Sequence, residues 1–529
     1  MDHGLLALFV VLSTSALGYS LWSKKGTRTR SPLPPGPPSL PILGNVLDIP
    51  SSEPWIAYDK WAKKYGDVFR IRLLTRDAIV LNSLESAKAL LEQRSQIYSS
   101  RPYLATNEIL GAEWNTAFLP YCDRWRSQRK VFQKPLRPEG AALYRPMQLK
   151  RARELVKNML DAPLEYREHF QTFATSIIMS ATYGYHPAVR NDPVVAKIQT
   201  VTHTFGTVVT PELSAVFSAF PWLRYIPSWF PGATFQRTAS SFRSTVSWWL
   251  DAPFEDALTK MSRGSLGSCV VRDALARINE DDVNAREAKQ AIKEAAATLF
   301  AGEPDVTHHI PMNHSEMSIL PPAASDTTAS VLLIFMLAMT LYPDVQKRAQ
   351  QEIETVVGSD RLPNFSDRPR MPYVEALLRE TLRWHPVAPL SLPHCNVADD
   401  VYQGYVIPKG TTIIPNLWAM AHDETKYSDP CSFNPSRFFD DNGELNQDTV
   451  SYGFGFGRRV CIGRYLADAS LWSAISHLLA AFVFRGQDGP PVPRFTMGVT
   501  SEPEPFKVVI LPRYHGEKLA GLLSLDVEE

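Results

Sequence analysis

The sequence predicts a mainly helical fold with small β-sheets, an α+β arrangement, from three observations. Most of the chain carries apolar residues at helical spacing, over residues 145–185, 193–220, 284–301, 324–342 and 345–357 among others. The strand signals are short and come as turn-linked pairs, at 67–81, 403–415 and 494–512. Near the C-terminus a glycine-rich loop, Phe454-Gly-Phe-Gly457-Arg-Arg459-Val-Cys461-Ile-Gly463, leads a single cysteine to the start of an apolar helix over 465–482.

Composition bounds the rest. With 529 residues, 44% hydrophobic and 21% charged, the balance is globular, and length alone suggests about three domains of roughly 150 residues each. Formal net charge is zero, so no global field points to nucleic acid, and none is expected as a partner. Cys122, Cys269, Cys395, Cys431 and Cys461 are odd in number and scattered, which argues against a disulfide framework and for a reducing compartment.

The N-terminus reads as a membrane anchor. Residues 5–22 are apolar or small and uncharged, long enough to span a bilayer. Lys24, Lys25, Arg28 and Arg30 follow at once and keep that side cytoplasmic. A cleaved signal peptide would place its basic residues before the apolar run, where only Asp2 and His3 stand. The expected organisation is an anchor over 1–23, a basic and proline-rich hinge over 24–50 and one domain over 51–529. Within the hinge, residues 32–41 (PLPPGPPSLP) read as a stiff spacer or a proline-rich partner motif.

Along the domain, residues 55–65 look helical with Tyr58 and Trp61 on one side, 67–81 alternate as a hairpin, and 83–93 form a short helix. Residues 101–120 are irregular, rich in aromatic and small residues, and suit a pocket wall or a packed surface loop. Trp125 and Arg129 lie one helical turn apart on one face; read alone, they are a packing aromatic and a solvated cation. Residues 220–232 (FPWLRYIPSWFPG) are aromatic and broken by proline, which fits a membrane interface or a buried loop.

One segment is in conflict with itself. Helical signal over 284–301 ends in AAATLFAG and resumes at Ala324-Ser-Asp326-Thr327-Thr328. Those residues serve equally as helix-start chemistry or as an acid–alcohol pair that moves protons. Between the two halves, residues 303–323 hold four prolines and no helical period, so no continuous helix runs through them. Removing them joins LFAG to ASDTTAS in one apolar helix, so the segment reads as an insertion; a retained intron would explain it. His308, His309 and His314 lie in this loop without supporting ligands, which argues against a metal site there.

Further on, Glu380 and Arg383 share a face of a helix over 373–385; such pairs are usually solvated, but the apolar flanks here favour a buried pair, which must then be satisfied. Residues 387–392 and His394 follow, then Pro435-Ser-Arg437-Phe438. The tip of the last strand pair, near 497–500, is placed to close a pocket. A cysteine before a helix start feels the positive end of the helix dipole, which favours the thiolate, although a lone cysteine in a turn is more often structural.

The whole pattern Phe-x-x-Gly-x-Arg-x-Cys-x-Gly resembles the haem-binding loop of the cytochrome P-450 superfamily, and the other motifs occur in family order over residues 32–512. The resemblance implies one mainly helical domain, haem b with Cys461 as axial ligand of the iron, and a thiolate that favours O–O cleavage. It implies that Trp125, Arg129, Arg459 and His394 hold the haem propionates, and that Asp326 and Thr327 move protons over the haem. Glu380, Arg383 and Arg437 resemble the family's scaffold network. The implied reaction inserts one oxygen atom from O2 into a lipophilic small molecule, by hydroxylation or epoxidation. Its electrons come from NADPH through a membrane-bound cytochrome P-450 reductase. The chain is similar in style to fungal enzymes of secondary metabolism, terpenoid first, polyketide or indole alkaloid next; residues 220–232 resemble the linker over the substrate entrance in such enzymes. The implied location is the endoplasmic reticulum membrane, single-pass, with the catalytic domain cytosolic. Two alternatives stand beside this: a haem-thiolate isomerase or dehydratase that needs no oxygen, and a haem protein whose catalysis is impaired by residues 303–323.

Overall fold

Prolines mark the starts of several principal helices, because a residue without an N–H costs nothing in the first turn. Helix α1 (Pro54–Tyr65), α8 (Pro343–Val357) and α9 (Pro372–Trp384) all begin this way. The computed structural model describes residues 32–188 except 75, then 192, 194, 217, 221–227, 229, 234–301 except 280, and 324–524. The other principal helices are α2 (Asp123–Gln133), α3 (Arg145–Asp161), α4 (Tyr166–Tyr183), α5 (Thr234–Ser262), α6 (Ala285–Ala301), α7 (Ala324–Leu341) and α10 (Arg464–Ala481).

Strands β1 (Val68–Leu73) and β2 (Arg76–Leu81) form the expected hairpin, with Val68 opposite Leu81. Strands β3 (His394–Cys395), β4 (Asp400–Tyr402), β5 (Tyr405–Ile407) and β6 (Thr412–Pro415) follow, and β7 (Phe482–Gly486) pairs with β8 (Val508–Pro512) near the end. The largest sheet has the order β1-β2-β6-β3, with β6 parallel to β2. Its register sets Ile413 between Ile79 and His394, so His394 is fixed by backbone pairing.

Helix α7 is the axis of the molecule. Every side chain from Val331 to Met339 is buried, which follows from a segment with no polar face. It packs against α4, α9, α10 and β7. The fold is therefore mainly helical with small sheets, as expected.

Three expectations are corrected in detail. The single helical pattern at 145–185 is two helices, α3 and α4, broken where Pro163 cannot donate to the preceding turn. The strand pair over 403–415 is two features: β4 and β5 form a small hairpin, while β6 crosses to β2 in the large sheet. The pair over 494–512 does not form within itself. Pro490, Pro491 and Pro493 interrupt the approach, and β8 reaches back to β7 so that Phe482, Phe484, Val508 and Ile510 enter the core together. Only an isolated bridge, Phe495 to Pro503, closes the intervening loop.

No single helix among the described residues is long and apolar enough to cross a membrane. The expected anchor, the basic part of the hinge, most of the helix at 193–220 and the segment 303–323 lie outside the described residues.

Candidate active site

Backbone geometry places Cys461. Short 3-10 turns at Ser451–Phe454 and Gly457–Arg459 fold the loop, and the Cys461 N–H donates to the Phe454 carbonyl at 2.8 Å. Gly457 adopts φ +54°, and a Cβ there would lie 2.0 Å from the Leu91 carbonyl oxygen. Only glycine allows that approach, so this residue seats the loop on the neighbouring turn. Helix α10 starts at Arg464, with Gly463 as its cap, two residues after the cysteine.

Cys461 lines a cavity of about 340 Å3. Helix α2 brings Trp125 and Arg129 to it, the cysteine loop adds Arg459, strand β3 adds His394, and α7 adds Thr327 and Thr328. Thr298 and Leu299 of α6 face the same space, so both halves of the interrupted helical stretch meet it. The backbone of Asp326 belongs to α7; its side chain lies outside the described residues. Among the described residues no aspartate or glutamate lines the cavity, and the remaining wall is largely aliphatic, including Val331, Val387 and Leu392.

The cations are crowded. The Arg459 guanidinium donates to the carbonyls of Ser99 (2.7 Å), Thr116 (3.2 Å) and Leu119 (2.7 Å), and lies 4.4 Å from the Trp125 ring centroid. Burial, then the charges of Arg101 and Arg129, hold its pKa below the usual guanidinium range. Arg129 donates to the Val460 carbonyl and is also held below the usual range by burial. Among the described residues neither arginine has a carboxylate partner. His394 is buried, with Nδ1 2.8 Å from the Tyr98 carbonyl oxygen. A carbonyl only accepts, so Nδ1 carries the hydrogen; burial and the Arg101 charge hold the ring well below its ordinary range and leave Nε2 bare.

Glu380, Arg383 and Arg437 meet, but away from the cavity wall. Arg383 donates from Nε and Nη2 to the two Glu380 oxygens at 2.7 and 2.8 Å, with both side chains fully buried. Arg437 Nε donates to the same carboxylate at 3.1 Å. The two arginines then hold the carbonyls of Ala421, Ser428, Pro430 and Ser432. Arg383 also lies 5.3 Å from the Tyr427 ring, and Tyr427 bonds Asp448 and Tyr452, just ahead of the cysteine loop.

Sequence reasoning missed Arg101 as an individual site residue. It lines the cavity, bonded to the carbonyls of Ala117, Leu392 and Pro393. A lone arginine before a proline carries no spacing signal; only the return of 392–393 reveals it. Residues 386–388 and 391–392 line the cavity. The tip at 497–500 does not appear on this cavity's wall; instead Ser501 bonds His385 and Val387, and Glu502 bonds Ser330 of α7.

The cytochrome P-450 family model matches residues 34–245 and 290–510. The chain belongs to the cytochrome P-450 family. It is 35% identical to a cytochrome P-450 monooxygenase of Armillaria gallica, over 97% of this chain and 98% of that protein. It is 35% identical to the monooxygenase claR of Ampulloclitocybe clavipes, over 94% of this chain and 90% of the relative. It is 33% identical to ple1 of Rhodocybe pseudopiperita, over 96% and 94% respectively. As a cytochrome P-450 monooxygenase relative, the chain is an oxidoreductase whose family uses haem iron, an electron donor and a small-molecule substrate.

Proposed function

We propose that this cytochrome P-450 is a haem-dependent monooxygenase that inserts one atom of O2 into a C–H or C=C bond of a lipophilic small molecule, the other atom leaving as water. The observation that carries the reading is the meeting of Cys461, Arg129, Arg459 and Thr327 on one cavity with no acid on its described walls. The residues fit haem in two ways. Gly453, Gly455 and Gly463 line the cavity beside the cysteine, where a Cβ on Gly463 would already sit 4.0 Å from its sulfur. Guanidiniums depressed by burial and by neighbouring arginines call for an anionic ligand, and two propionates supply it.

When bound, haem supplies dioxygen activation at a thiolate-ligated iron. Cys461 would hold the iron through its thiolate sulfur. Arg129 and Arg459 would hold the propionates beside Trp125, with Arg101 as a third cation. His394 would join them as a donor once protonated, which an adjacent carboxylate favours. Thr327 would hold a water or a proton at Oγ1, and Asp326 would relay protons to it. The aliphatic wall would orient an apolar substrate and exclude water. Glu380, Arg383 and Arg437 would hold the frame of the cysteine loop.

Electrons would come from NADPH through a separate membrane-bound reductase. The apolar run at 5–22 and the basic cluster after it support a single-pass anchor in the endoplasmic reticulum with the domain in the cytosol. Trp222, Tyr225 and Trp229 are exposed, which supports a second membrane contact. The fungal relatives support a role in secondary metabolism; a terpenoid is the first substrate class to test, then a polyketide or an indole alkaloid.

A carbon monoxide difference spectrum of the reduced protein tests the centre, and incorporation of isotopically labelled O2 into product tests the chemistry. Product formed without oxygen would instead identify an isomerase or dehydratase. A second reading, impaired catalysis in this form of the chain, rests on residues 303–323 standing between two helices that face one cavity. Deleting them should raise the yield of thiolate-ligated haem, and transcripts lacking them would establish a retained intron.

A further inference from the structure

Helix α2 carries two pairs of side chains at the same spacing. Trp125 and Arg129 face the cavity; Arg124 and Gln128 sit one position earlier and turn to α6 instead. What they meet there is Glu294, a carboxylate only 3% exposed. It accepts two hydrogen bonds from Arg124, Nε at 3.0 Å and Nη2 at 2.7 Å, one from Gln128 Nε2 at 2.6 Å and one from Gln290 Nε2 at 2.8 Å. Such a set fully satisfies a buried charge and fixes the rotation of α2 against α6.

The network continues to the cavity. Fully buried Gln128 also donates to the Trp114 carbonyl at 3.1 Å and accepts from the Thr116 hydroxyl. The Thr116 N–H donates to Thr298 Oγ1 at 3.1 Å, and the Thr116 carbonyl accepts from Arg459. Glu294 thus stands behind the wall that presents Trp125, Arg129 and Arg459, and touches none of them in the described contacts. We propose that Glu294 is a positioning residue for haem, acting through Gln128 and Thr116 to set the cationic wall that receives the propionates. This rests on the reading of the cavity as a haem site.

The test uses the full chain, loaded with haem, and measures the rate of haem loss to an acceptor apoprotein and the Soret circular dichroism, beside the thermal midpoint of the protein freed of haem. Glu294→Ala should speed haem loss about 10-fold, the scale of a lost supporting contact to a bound group, and alter the Soret dichroism. Glu294→Gln should fall between, and Arg124→Ala, at a half-exposed position, should shift the rate the same way. Because Glu294 acts through Arg459, Glu294→Ala and Arg459→Lys should be non-additive in haem loss. A lowered midpoint with unchanged haem loss and dichroism, or strict additivity with Arg459→Lys, overturns the proposal. A wild-type chain that binds no haem overturns the functional reading and this inference with it; wild-type binding with an indifferent Glu294→Ala overturns this inference alone.

Discussion

The Arg459 guanidinium lies against the ring of Trp125, 4.4 Å from its centroid, while three backbone carbonyls take its hydrogens. This is a cation held by dipoles and a π face, without an anion in the described contacts. A guanidinium keeps its proton across the working pH range, so an arriving carboxylate finds a buried charge held only by dipoles in the described contacts. Arg459→Gln should therefore lower the ratio of affinities for haem over its dimethyl ester by about 10-fold, the scale of one hydrogen bond to a charged group. An unchanged ratio would refute this.

Arg383 and Glu380 are fully buried and bound through two hydrogen bonds. Arg383→Leu leaves the buried carboxylate with Arg437 Nε and the Asn434 N–H as its described donors, and releases the carbonyls of Ala421 and Pro430. The expected loss is about 3 kcal/mol, the low end for breaking a buried pair, read by denaturant titration, with little protein recovered in the haem-bound form. An unchanged midpoint would mean the pair is not structural.

Gly457 has φ +54° with the Leu91 carbonyl in the way of any side chain. Gly457→Ala should cost about 1–3 kcal/mol from the backbone strain alone, plus displacement of the cysteine loop. Gly443, also at positive φ but with open space around it, provides the contrast: Gly443→Ala should cost less in the same titration.

Cys461 is exposed on its loop and contributes nothing to the apolar core. Cys461→Ser should leave the far-ultraviolet spectrum unchanged, abolish the thiolate–haem band in carbon monoxide and reduce monooxygenation to background. Survival of that band would assign the ligand to another residue.

Local spacing explains which parts of the site could be read. Trp125 and Arg129, or Glu380 and Arg383, project together because one helical turn brings them together whatever the rest of the chain does. The cysteine loop carries its own glycines and the helix that follows. Arg101, Thr116 and Glu294 have no such local sign, since the partners that place them at the site lie far away in sequence: Leu392 for Arg101, Arg459 for Thr116, and, besides nearby Gln290, Arg124 for Glu294. The strand partners failed for the same reason. Residues 508–512 have the right composition for a strand, but which segment they pair with was settled by the core, which takes Phe482 and Val508 on one face.

By itself the sequence determined a mainly helical fold, the cysteine loop, the buried Glu380–Arg383 pair and the break at residues 303–323, because each follows from periodicity, proline placement or a motif within one segment. Only the tertiary structure decided that Thr298 and Thr327, on either side of that break, face one cavity, and that its cations stand without a described acid beside them. Long-range approach is the reason: a helix states its apolar face in its own residues, while a site is made by which faces meet.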